Sequence, residues 1–126
     1  MNAVAQIFAV IAGVLHVAFF MVESVLFRRP FVQRAFSVRP EHSDAVRSWA
    51  FNMGFYNLFL AAGTIAGVIL LHTGSVPEGR ALVLFGCASM FLAAVVLYVS
   101  DPRPARLRSV VLQGLAPLVV VLTTVL

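Results

Sequence analysis

The chain has 126 residues, of which 61% are hydrophobic and only 11% charged, and its mean hydropathy is +0.99. A water-soluble domain of this size has too little interior to hide that much apolar surface, so the solvent this composition fits is a bilayer. All nine basic residues are arginine, and they gather at the ends of apolar runs, where they anchor and orient membrane helices rather than build a nucleic-acid surface. Cys87 stands alone, which excludes an intrachain disulfide and a cysteine-based zinc site and leaves it as a small packing residue.

A membrane helix needs about 20 mainly apolar residues. Four such runs occur in order, at 3–27, 48–72, 80–100 and 108–126. They predict an all-α fold, a polytopic membrane protein forming a single four-helix domain over 1–126. The first run carries no basic residue before Arg28, so it lacks the charged front of a signal peptide and is expected to stay as a membrane helix. Pro30 is expected to end it. In the loop that follows, RRPFVQRAF reads as an interfacial segment, with Phe31 and Phe36 dipping into the headgroups and the arginines meeting anionic lipid.

Pro40 suits the first turn of the second helix, and Glu41 and Asp44 then sit where the helix dipole favours carboxylates. That helix is expected over 40–72, with its membrane part from about Trp49. Gly74, Pro77 and Gly79 predict a tight turn into the third helix, over 80–100. Pro102 and Pro104 punctuate the passage to the fourth, over 104–126, which Pro117 should kink.

Arg28, Arg29, Arg34, Arg39 and Arg47 lie in the first connection, Arg103, Arg106 and Arg108 at the third, and Arg80 alone at the second. The positive-inside rule therefore predicts loops 28–47 and 101–107 cytoplasmic and both termini outside.

Strongly polar residues inside the spans are few: His16 and Glu23 on the first, Asn52, Tyr56 and Asn57 on the second, Gln113 on the fourth. Glu23, Asn52 and Gln113 each lie five residues from a flanking arginine, which at about 1.5 Å per residue puts all three about 7 Å inside the cytoplasmic boundary. Ideal α-helical phase sets Tyr56 on the face of Asn52 and His16 on the face of Glu23. The expected site is a polar pocket in the cytoplasmic half, with Glu23 as ionisable acceptor, His16 as proton partner, and Asn52, Tyr56 and Gln113 as hydrogen-bonding ligands. Glu23 and His16 are the candidates for any catalysis. The same amides would serve equally as interhelical bonds. The rise from His16 to Glu23 is about 10.5 Å, too long for one metal ion, and no metal or cofactor is expected.

Asn57 points over 100° from Asn52 and reads as a helix-packing contact. Gly63 and Gly67 form a GxxxG pattern for close packing, or for dimerisation, and Gly54 permits a neighbouring backbone to approach. The expected partners are the bilayer, a hydrophobic or amphiphilic small molecule and further copies of the chain, but not nucleic acid. Three functions fit: binding or transformation of such a molecule, proton-coupled transport of a small solute by an oligomer, and a structural subunit of a membrane complex.

Three motifs carry a family likeness. His-x6-Glu at His16 and Glu23, Asn-x-Gly-x-Tyr-Asn followed by FLAAG from Asn52 to Gly63, and Gln-x3-Pro at Gln113 and Pro117 resemble the small bacterial membrane proteins grouped as domain-of-unknown-function family 1304. The resemblance covers essentially the whole chain and implies family positions at His16, Glu23, Asn52, Gly54, Tyr56, Asn57, Gly63, Gln113 and Pro117. Met53 departs from it, since the resemblance leads one to expect glutamine there. The resemblance implies a four-helix membrane fold, with a multi-pass protein of a bacterial inner membrane as the expected setting, but no established activity.

Overall fold

The structure, a computed structural model, describes residues Met1–Leu126. It is all helical: α1 (Ala3–Phe20) continued by a π-helical turn (Met21–Val25), α2 (Pro30–Ala35), a 3-10 turn (Pro40–His42), α3 (Ser43–His72), α4 (Val76–Ser100) and α5 (Pro104–Val125). Four of these segments are long and apolar enough to cross a membrane: Ala3–Val25, Pro40–His72, Val76–Ser100 and Pro104–Val125.

The helix ends follow local chemistry. Asn2 caps α1, its Oδ1 accepting the Ala5 amide at 2.8 Å. Gly74 takes φ +97°, the left-handed conformation that ends α3 without steric cost. Arg103 is extended before Pro104, the first residue of α5. Two expected boundaries are corrected. The first helix stops at Val25, and Pro30 begins α2 instead of ending α1, because proline fits a first turn as well as it breaks an interior. For the same reason Pro77 and Gly79 lie within the first turns of α4, which starts at Val76. Helix α5 runs through Pro117 to Val125 as one element.

The residues divide into two compact units, Met1–Leu15 with Leu60–Leu126, and His16–Phe59. In the first, parts of four helices share a core of Ala9 and Ala12 from α1, Val83, Cys87 and Met90 from α4, and Ala116 and Val120 from α5, with Leu60, Val68 and Leu71 of α3 packed against it. The core is small-residue rich because helices in lipid associate by close packing rather than by the hydrophobic effect. Gly67 and Gly79 show why: a Cβ on Gly67 would stand 2.9 Å from the Gly79 carbonyl oxygen, and one on Gly79 would stand 2.6 Å from that of Gly67. Gly63, one turn earlier, has nothing within 4 Å of its Cβ direction. The GxxxG pattern is thus split, with Gly67 at a helix contact and Gly63 beside open space.

Outside that core the surface is apolar. Phe85 is 71% exposed and Val99 73%, which water would not tolerate over so wide an area and hydrocarbon does.

In the second unit, the end of α1 lies along the first half of α3. Phe20 meets Phe55 edge-on at 5.0 Å, and Phe55 contacts Phe51 and Phe59 on its own helix. The α2 segment folds onto the same unit through Val32, which is 1% exposed.

Candidate functional site

The unit His16–Phe59 holds five of the six polar residues that the sequence places inside the spans. The end of α1 is not α-helical there. The Leu26 amide bonds the Met21 carbonyl at 2.8 Å, an i to i+5 step, and Glu23 sits in the resulting π turn. A π turn advances less rotation per residue than an α-helix, so the ideal seven-residue phase between His16 and Glu23 does not hold. His16 is fully buried and meets Phe19 edge-on at 5.2 Å.

Glu23 is half-buried, and its Oε2 accepts a 2.7 Å hydrogen bond from the Asn57 side-chain amide. The next residue, Ser24, donates its hydroxyl to the Phe51 carbonyl oxygen at 2.9 Å. Between these two bonds lies Gly54, buried, where an added Cβ would collide with Ser24 Oγ and stand 3.2 Å from the Glu23 Cβ. The contact is therefore built from Glu23 and Ser24 on one side and from the Phe51 carbonyl, Gly54 and Asn57 on the other.

The face of α3 that meets the end of α1 is the one carrying Gly54 and Asn57, both expected as packing positions. Asn52 and Tyr56 are exposed, Tyr56 by 57%, while Asn57, expected as a helix-packing contact, makes its contact with the Glu23 carboxylate. The reason is rotational. Asn52 and Tyr56 each lie two residues from Gly54, about 200° around the helix, so a helix that packs through Gly54 turns both outward. Equal depth put Asn52 and Glu23 on one level but could not put them on one face. Gln113 is half-buried on α5, in the other unit.

Ser24 and the Phe51 carbonyl were not singled out from the sequence. The usable signal was Gly54: once a glycine is assigned to a close backbone approach, Asn57, three residues on, is its polar neighbour on that face.

Two open apolar grooves lie in the first unit, and none of the expected site residues lines either of them. One, of about 190 Å³, runs between α4 and α5 past Phe91, Ala94, Gly114 and Leu118. The other, of about 350 Å³, lies between α1 and α3 along Ile7, Val10, Ile11 and Val68. It ends at a 2.7 Å hydrogen bond between His72 Nε2 and Gln6 Oε1. Polar groups also hold the last turn of α5: Asn2 Nδ2 donates to the Thr123 carbonyl at 3.0 Å, and Arg80 of α4 to that of Thr124 at 2.9 Å.

A family model described as a protein of unknown function (DUF1304) matches residues 10–125. The chain belongs to the DUF1304 family. Its matched region takes in the Glu23–Asn57 contact and the whole of α3, α4 and α5. No curated protein matched the chain, and no solved structure did. The DUF1304 assignment thus accompanies the four apolar helices without adding an activity.

Proposed function

We propose that the protein is a helical component of a membrane assembly, presenting the outer side of α3 to a partner within the bilayer. The observation that supports this reading is the exposure of Asn52 and Tyr56 on a helix long and apolar enough to span. An amide left facing hydrocarbon is costly, and a hydrogen bond to a neighbouring helix removes that cost. Glu23 does not meet the need, since its bond comes from Asn57 on the opposite side. The arginine count supports an orientation with loops 28–47 and 101–107 in the cytoplasm and both termini outside, which a reporter fused after Leu126 tests directly; a bacterial inner membrane is the setting we propose.

The assembly reading is tested by placing a photo-crosslinking side chain at Asn52 or Tyr56 and irradiating intact membranes. A covalent protein adduct at these positions, and none at lipid-facing Phe85, is expected. Adducts to lipid alone at all three positions reject the reading. Native mass spectrometry from gentle detergent then reports whether the partner is another copy.

A second reading draws on the π turn. Such turns recur at functional sites, and a membrane carboxyl held by an amide, with His16 in the same unit, suits proton exchange or recognition of an amphiphilic small molecule. Under it, Glu23→Gln abolishes proton-coupled uptake or removes a co-purifying amphiphile. A variant that keeps both sinks the role of Glu23.

A further inference from the structure

The six residues of α2 have two distinct sides. Val32 and Gln33 turn inward, Val32 buried and Gln33 donating to Ser43 Oγ at 2.7 Å. Pro30, Phe31, Arg34 and Ala35 face out. Phe36, expected to dip into headgroups, instead folds back onto Phe27 at 6.4 Å between ring centroids. The C-terminus is closed by two bonds, Ser37 N to Arg34 O at 3.0 Å and Val38 N to Gln33 O at 2.9 Å, the paired pattern of a Schellman end. The helix is therefore pinned at its core side and at its end, so its outer side is a formed surface.

That surface is basic and has one aromatic. Arg28, Arg29, Arg34 and Arg39 are all exposed, and Phe31 is 57% exposed among them. No acidic residue occurs between Glu23 and Glu41. The ion pairs of the chain, from Asp101 to Arg103 and Arg106, involve none of these four arginines. None of the four is in an ion pair, and the run of charge begins three residues after the first span ends at Val25.

We propose that the outer side of α2 binds anionic phospholipid headgroups. The guanidinium groups of Arg28, Arg29 and Arg34 take phosphate oxygens, for which their planar forks are suited, and Phe31 enters the boundary between headgroup and acyl chain. Lipid is favoured over a soluble polyanion for two reasons. The surface hangs between two membrane spans, α1 and α3, and the aromatic amid the cations matches an amphiphile rather than a uniformly charged chain.

The test uses the full chain in gentle detergent with equimolar phosphatidylglycerol and phosphatidylcholine of identical acyl chains, read by native mass spectrometry. The wild type should retain phosphatidylglycerol preferentially. Arg28→Gln, Arg29→Gln and Arg34→Gln together should reduce that preference by up to about 100-fold, taking roughly fivefold per basic group at a membrane surface. Phe31→Ser should lower retention of both lipids. Arg108→Gln, which removes one arginine elsewhere, should leave the preference unchanged. Equal retention of the two lipids by the wild type overturns the proposal. So does an undiminished preference in the triple variant with unchanged helical circular dichroism, an equal loss in Arg108→Gln, or displacement of phosphatidylglycerol by stoichiometric RNA.

Discussion

The Asn57 side-chain amide donates to Glu23 Oε2 at 2.7 Å across a contact in which Gly54 brings the chain against Ser24. Both polar side chains are thereby used within one unit, while Asn52 and Tyr56 stay exposed. The relationship separates packing from presentation on a single helix: residues in step with Gly54 hold α3 to the end of α1, and residues two away are left for something outside the chain.

Asn57→Ala removes the donor and should lower stability in detergent by about 0.6–2 kcal/mol, the range of interhelical hydrogen bonds in membranes. Glu23→Gln keeps an acceptor oxygen and should cost less than Glu23→Ala. Thermal unfolding followed by circular dichroism orders the three variants. Equal loss from Glu23→Gln and Glu23→Ala would show that the bond contributes nothing.

The two glycines of the GxxxG pattern should behave oppositely. Gly67→Ala drives a methyl to 2.9 Å from the Gly79 carbonyl oxygen and the Val83 amide nitrogen, and overpacking of this kind costs about 1–3 kcal/mol, which matches or exceeds the gain of about 1 kcal/mol in helix propensity. Gly63→Ala meets open space and should be neutral or stabilising by up to about 1 kcal/mol. Melting temperatures of the two variants decide it, with Gly63→Ala the higher.

Ser37 occupies the left-handed region at φ +56°, at the residue after the α2 C-cap. A non-glycine residue there is strained by about 1–2 kcal/mol, partly offset by the greater chain entropy that glycine loses on folding. Ser37→Gly should therefore stabilise the loop by about 0.5–1 kcal/mol and slow its proteolysis in detergent, while Ser37→Val should hasten it.

Between α4 and α5, Asp101 accepts bonds from Arg103 and Arg106 at 2.6 and 2.8 Å. Those guanidinium groups hold its carboxyl well below the usual carboxylate range. A depressed folded value means that the contribution is present above the unfolded carboxylate pKa of about 3.9 and is lost as pH falls further towards the folded value. The stability difference between wild type and Asp101→Asn should stay level from pH 7 to about pH 5 and narrow only below about pH 4. A difference that closes between pH 7 and 5 would refute the assignment.

The sequence by itself determined the solvent, the class and the spans. Apolar runs of about 20 residues are long enough to cross a bilayer as helices, and the motifs from His16 to Pro117 carried the family. It also marked most boundaries, because proline and glycine act on their own backbone. Where it misled, as at Pro30 and Pro77, the same residue has two local uses, ending one helix or starting another.

The pairing of the polar residues was decided only by tertiary structure. Helix α3 is apolar on nearly every side, so no stripe of hydrophobicity says which face meets a neighbour. Depth fixes height along a helix but not rotation about it. Rotation was set by the close approach at Gly54, which the glycine itself marks, and by the π turn at Met21–Val25, which leaves no mark in the period of α1. That is why Asn57, not Asn52 or Tyr56, holds Glu23.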